Sequence, residues 1–161
     1  MRLATITSAA LLAAVCLQSA FGAEQMNFQE SIAVESSAGR VLVHVTVDNQ
    51  GESPVYVPRA VASEHELWGR LFEVRDLASG QVLEYTGPMV KRGPLTSADY
   101  LPVPPHRKHS NTLDITDAYA FRQGTHSYQL SYPGTYLTNV ARLDAAAQVA
   151  PAPVQFTHTG R

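Results

Sequence analysis

Hydrophobic and polar positions alternate along most of this chain, and the alternation is that of β-strands. Val41, Val43, Val45 and Val47 are interleaved with Leu42, His44 and Thr46, so one face of this segment is pure valine. Asn49-Gln50-Gly51 ends it with turn residues. Pro54–Val57 reads as a short extended piece ending at Pro58. Across Arg70–Asp76, Phe72 and Val74 share one side, and Glu73 and Arg75 the other. Ala78-Ser79-Gly80 then turns the chain into Gln81–Tyr85, which predicts a hairpin.

Thr112–Ile115 predicts a further strand, followed by a single helical turn at Asp117–Tyr119. Ser127–Tyr132 places Tyr128, Leu130 and Tyr132 on one face. Glu24–Val34 supplies the first strand and Pro151–Thr159, through Val154 and Phe156, the last. Val61–Leu71 is the best helical window, and its apolar residues fit a period of about 3.6 only loosely. Leu143–Pro153, rich in Ala and Pro, predicts a loop. About seven to nine short strands with regular turn signals predict an all-β, Ig-like antiparallel β-sandwich. The prolines fall mostly between the strands, where they remove no ladder hydrogen bond.

The amino terminus changes this picture. Residues 1–22 predict a signal peptide: Arg2 is a positive start, Leu3–Leu17 is apolar apart from Thr5, Thr7 and Ser8, and Ala20-Phe21-Gly22 offers small residues at the cleavage site. The apolar run is too short and interrupted for a transmembrane span. Cys16 offers a lipoprotein alternative, against which Ala13-Ala14-Val15 lacks the expected Leu before the cysteine. Residues 23–161 then form one domain, exported to the periplasm or beyond. The sole cysteine leaves with the signal, so stability falls to the core and not to a disulfide. Without Arg2 the 12 basic residues become 11 against 14 acidic ones, a formal charge of −3 that argues against nucleic-acid binding.

Motifs for chemistry are incomplete. His65-Glu66 opens a zinc-protease H-E-x-x-H pattern, but Gly69 stands where the second His belongs. His106 and His109 flank Arg107-Lys108 after Pro104-Pro105; in an extended chain they point to opposite faces, and the cations repel a metal ion, so a basic exposed turn is the expectation. His44 reads as half-exposed and structural. There is no G-x-S-x-G and no phosphate-binding glycine loop. The expectation is a non-catalytic protein with no metal and no cofactor. The most distinctive stretch is Tyr85-Thr86-Gly87-Pro88-Met89-Val90-Lys91-Arg92-Gly93-Pro94, an apolar-then-basic segment between two Gly-Pro steps. Proline fixes φ and glycine permits tight turns, so an ordered, extended loop is expected. It can present Lys91 and Arg92 to an acidic partner; the alternative is that Met89 and Val90 pin the loop while the cations are merely solvated. Met89, Val90, Lys91, Arg92, Arg107 and Lys108 are the candidate partner-binding residues.

Several pieces recur in a shared order: Leu71–Val74, Gly80–Gly87, Val90-Lys91-Arg92, Pro94, Asp99-Tyr100, Leu113–Thr116, Tyr119 and Tyr128–Tyr132. On these the chain, from about Glu35 to Thr159, resembles the amino-terminal β-sandwich region of secreted bacterial deuterolysin-like (aspzincin) zinc endopeptidases, including the peptidyl-Lys metalloendopeptidases. In that family the region precedes a catalytic domain bearing H-E-x-x-H and a third-ligand Asp. Here the chain ends at Arg161, and none of those ligands carries over. His126 stands where the family tends to place a Gly before its Tyr. The resemblance implies a propeptide-like inhibitor or chaperone of a secreted zinc metalloendopeptidase, with Lys91 or Lys108 as candidates for a lysine-specificity pocket. The other expectation is a periplasmic or surface structural or carbohydrate-binding module, with Trp68, Tyr100 and Tyr136 as an aromatic platform or as core and rim.

Overall fold

The computed structural model describes residues 27–161. The segment expected as a signal peptide and the first residues of the first predicted strand, Glu24–Met26, lie outside them. The described chain is all-β, a sandwich of antiparallel sheets.

The first sheet is built from β1 (Phe28–Ser37), β2 (Arg40–Asn49) and β6 (Arg107–Asp114), in the order β1-β2-β6. The second is built from β4 (Glu73–Asp76), β7 (Gly124–Ser131) and β10 (Val154–Gly160), in the order β10-β7-β4. There are two smaller antiparallel pairs: β3 (Val55–Pro58) with β5 (Tyr100–Val103), and β8 (Gly134–Tyr136) with β9 (Ala147–Val149). A bridge between Tyr56 and Leu137 joins them.

The valine face behaves as its pattern predicts. Val41, Val43, Val45 and Val47 are all buried and share one apolar cluster with Leu113 of the neighbouring β6 and with Phe72, Val74, Tyr128 and Leu130 from the second sheet and its approach. Each such side chain contributes roughly 1.5–3 kcal/mol by leaving water, which is how a sandwich without a disulfide is held together. The buried Tyr119 hydroxyl is satisfied: its Oη donates to the Phe72 carbonyl (2.7 Å) and accepts from the Phe72 amide (3.2 Å).

Several boundaries differ from the sequence expectation. The Leu143–Pro153 segment is not all loop, because it holds a 3-10 turn at Leu143–Ala145 and then β9, which finds its partner in β8. The helical window Val61–Leu71 yields only the single turn α1 (Arg59–Ala62). The Gln81–Tyr85 arm is not a full strand. It meets β4 through Arg75 and Val82, with Leu83 N–H donating to Val74 O (2.8 Å). The Ala78-Ser79-Gly80 turn forms as expected. Gly80 has φ 71°, and Asp76 Oδ1 accepts from the Ser79 amide (2.7 Å) and hydroxyl (2.9 Å). Those donors hold the buried Asp76 carboxyl below its ordinary range.

Arg107-Lys108 is not a turn. Both residues open β6 and pair with Asn49 and Asp48 of β2. The turn lies one residue earlier, at His106, whose φ is 55°. Pairing with a long neighbouring strand extends β6 almost back to Pro104-Pro105.

Candidate functional site

The Gly-Pro loop is anchored from below. The amides of Thr86 and Gly87 donate to the Ala118 carbonyl (2.9 and 3.2 Å), and Val90 N–H donates to Trp68 O (3.3 Å). Tyr85 Oη sits beneath it within reach of the carbonyls of Leu67 (3.2 Å) and Pro88 (2.8 Å). The close approach of the Tyr85 ring explains Gly87, where a Cβ would lie 2.7 Å from the hydroxyl oxygen. Beyond Pro94 the chain re-enters the body through a capping box. Asp99 Oδ2 accepts from the Thr96 amide (2.7 Å) and hydroxyl (2.9 Å), which hold the Asp99 carboxyl below its ordinary range.

This anchoring leaves the loop's apolar side chains in solvent. Met89 is 79% exposed, Val90 53% and Leu95 56%, and Trp68 beside them is 41% exposed. Trp68 follows Leu67, which is buried in the core, so the indole projects from a fixed base. Val90, Leu95 and Trp68 line a shallow cavity of about 470 Å³ with Glu64, Arg92 and Asp99. A second cavity of about 350 Å³ continues along Glu66, Arg70 and Leu71. The two share Glu64, Trp68, Val90, Arg92 and Leu95, so they adjoin as one open depression lined by apolar side chains and charges of both signs. Lys91 and Arg92 are exposed, and neither makes an ion pair with another described residue.

Of the residues singled out from sequence, the structure gathers Met89, Val90, Lys91 and Arg92 on this loop. It does not bring Arg107 and Lys108 to them. Those two stand at the start of β6, where Lys108 Nζ pairs with Asp48 Oδ2 (3.2 Å). His106 and His109 diverge: His106 reaches Glu52 (3.2 Å), and His109 Nε2 lies 2.6 Å from the Ala62 carbonyl. His65-Glu66 lies along the edge of β6, where Asp114 N–H donates to His65 O (2.9 Å). His44 is half-buried and bonded to Thr112 (2.9 Å). Among the described residues no group of three His, Cys, Asp or Glu is placed to hold a metal ion. No described helix is long and apolar enough to cross a membrane.

The aromatic platform does not form. Tyr100 is buried, and Tyr136 packs against Phe28 with ring centroids 4.8 Å apart, leaving Trp68 at the surface without either. Trp68, expected only with Tyr100 and Tyr136 as a platform or as core and rim, instead completes the patch with Leu95, which was not among the sequence candidates. The signal that marks them is an apolar residue following Pro94 and a tryptophan next to Gly69, and neither shows exposure without the fold.

No protein family and no curated protein matches the chain. A solved structure described as "X-ray structure of Northeast Structural Genomics Consortium target SoR45" aligns at 12% identity over 81% of this chain and 83% of that one, with a TM-score of 0.37.

Proposed function

We propose that this protein is an exported protein-binding module whose recognition surface is the anchored Gly-Pro loop together with Trp68. One observation carries the reading: large apolar side chains at Met89, Val90 and Leu95, and at Trp68 beside them, are held in solvent where the loop backbone is already tied to the sandwich. Exposed apolar groups grouped in this way mark interaction sites, and a tied loop loses less conformational entropy on docking. Arg92 and the tryptophan are residue types that concentrate binding energy. Lys91 adds a flexible point charge at the rim.

The partner class follows from the resemblance to the amino-terminal region of deuterolysin-like zinc endopeptidases. In this reading the module inhibits or chaperones a secreted metalloendopeptidase, with the loop laid against the protease. Lys91, and not Lys108, is the lysine for an acidic specificity pocket, because Lys108 is paired with Asp48 on a different part of the body. Gly87-Pro88 and Gly93-Pro94 stiffen the segment on both sides of it.

The test is a titration of the purified protein against a peptidyl-Lys metalloendopeptidase. Activity should fall at micromolar inhibitor. Trp68→Ala and Lys91→Ala should each weaken inhibition about tenfold or more, and Lys108→Ala should leave it unchanged. Protease activity untouched at micromolar excess rejects the protease partner; equal effects of the two lysine variants reject the loop as the contact.

A further inference from the structure

A second surface lies on the opposite flank of the first sheet, independent of the loop. β1 is a 10-residue strand paired with β2 in unbroken register from Phe28↔Asn49 to Ser37↔Arg40. No described strand pairs with its other side. The usual guards of such an edge are proline, lysine, a bulge or a covering segment. β1 has neither proline nor lysine, and its register has no bulge. The far edge of β6, by contrast, is covered by α1, with Asn111 Nδ2 donating to the carbonyls of Val61 (2.9 Å) and Glu64 (2.6 Å). The edge of β4 is partly covered by Val82. β10, whose far side also pairs with no described strand, packs beside β1, with His158 reaching Ser36 (3.0 Å), and is shorter at 7 residues and preceded by Pro151 and Pro153.

The phase of the free edge can be read. Gln50 N–H donates to Asn27 O (2.7 Å), so Asn27 and alternate residues after it face β2. The backbone groups of Phe28, Glu30, Ile32, Val34 and Ser36 therefore point outward along the edge. We propose that this edge is a self-pairing surface, on which β1 of a second copy adds antiparallel about Ile32, and that the inward-pointing Glu30 gates the addition.

The register argues for a second copy. Residues opposite one another in an antiparallel pair share a face. Pairing about Ile32 sets Phe28 against Ser36 and Glu30 against Val34 on the inner face. It sets Gln29 against Glu35 and Ser31 against Ala33 on the outer. No like charges meet, and the partly buried Phe28, Ile32 and Val34 gain cover.

Glu30 supplies the gate. It is 6% exposed, and its Oε1 is buried with no hydrogen-bond partner. β2 offers Val47 directly opposite it, with Val45 and Asn49 on either side of Val47. The titratable groups on the other elements packed against the inner face of β1 are Tyr132 after β7, Tyr136 of β8 against Phe28, and His158 of β10 beside Ser36 (3.0 Å). None is a cation that pairs with Glu30. Burial pushes the Glu30 carboxyl up to about 7. An added strand takes this group further from water, so the neutral form accepts the strand and the ionised form opposes it.

Light scattering on the purified protein at high micromolar concentration, at pH ~5.5 and ~8.5, brackets the carboxyl. Wild type should show twice the monomer mass at the lower pH and the monomer mass at the higher. Glu30→Gln should be dimeric at both. Ile32→Pro removes an outward N–H without touching a β1–β2 hydrogen bond and should be monomeric at both. Amide exchange on wild type, corrected for intrinsic pH dependence, needs no variant: the Glu30, Ile32 and Val34 amides should gain protection at the lower pH. A monomer at both pH values, or a dimer without that protection, overturns the edge assignment. Glu30→Gln dimerising only at the lower pH, as wild type does, overturns the gate.

Discussion

Glu30 sits on β1 at a position whose neighbours in phase, Phe28, Ile32 and Val34, are apolar, and the fold takes it inward with them. Its proton is held by desolvation and not by a partner, which gives stability a definite pH dependence. An ordinary glutamate ionises near 4.5, whereas burial in the folded chain pushes Glu30 up to about 7. Between those values the folded state holds a proton that the unfolded state has lost, so stability falls as pH rises through that window. The full effect corresponds to roughly 3 kcal/mol. His158, held below its ordinary value by burial, acts in the opposite direction, its contribution growing with pH up to the ordinary histidine range. Urea melts at low protein concentration should therefore show Glu30→Gln losing most of the fall between pH 5 and pH 8 that wild type shows. The two proteins falling in parallel would mean that Glu30 is not the group responsible.

At the scale of elements, the polar pins between strands matter as much as the ladders. Asn49 closes β2 and is buried. Its Nδ2 donates to the carbonyls of Ser53 (2.9 Å), Val103 (2.9 Å) and Pro104 (3.1 Å), and its Oδ1 accepts from the Gly51 amide (3.0 Å). This one amide ties the first sheet to the β3–β5 pair. Asn49→Ala leaves buried carbonyls unpaired and should cost about 2 kcal/mol or more in a denaturant titration, against a few tenths for an exposed asparagine such as Asn139. The sequence announces Asn49 as a turn residue and nothing more, since its partners Val103 and Pro104 lie far along the chain. The same limit runs through the fold. Period-two alternation reveals β2 and β7 because their burial is decided by their own side chains. It hides β9, and it hides the backward extension of β6 through Arg107, because those stretches are strands only by virtue of partners elsewhere. In the candidate site, Met89–Arg92 stands out locally through its bracketing Gly-Pro steps. Trp68 and Leu95 join it only through the Val90 amide and the cavity the three side chains share.

At the scale of the whole molecule, the question is whether the loop belongs to the same cooperative unit as the sheets. Leu67 is buried in the core and Trp68 is its neighbour, while the loop rests on Tyr85, whose ring meets Tyr119 at 5.5 Å, and Tyr119 in turn is bonded to Phe72. A continuous chain of packed and hydrogen-bonded groups therefore runs from the exposed patch to the centre of the sandwich. Trp68 is the chain's sole tryptophan, so its fluorescence reports on the patch alone, while far-UV circular dichroism reports on the strands. If the patch is preorganised by the core, the two signals should trace one urea transition with a common midpoint. Leu113→Ala, which opens a cavity beneath β2, should lower both midpoints together at a cost of about 3 kcal/mol. Met89→Ala, at the surface, should move neither by more than about 0.5 kcal/mol. Fluorescence changing well before the strands melt would show that the loop orders separately. Docking would then have to supply the ordering free energy, and the affinity expected of a rigid patch would be lost.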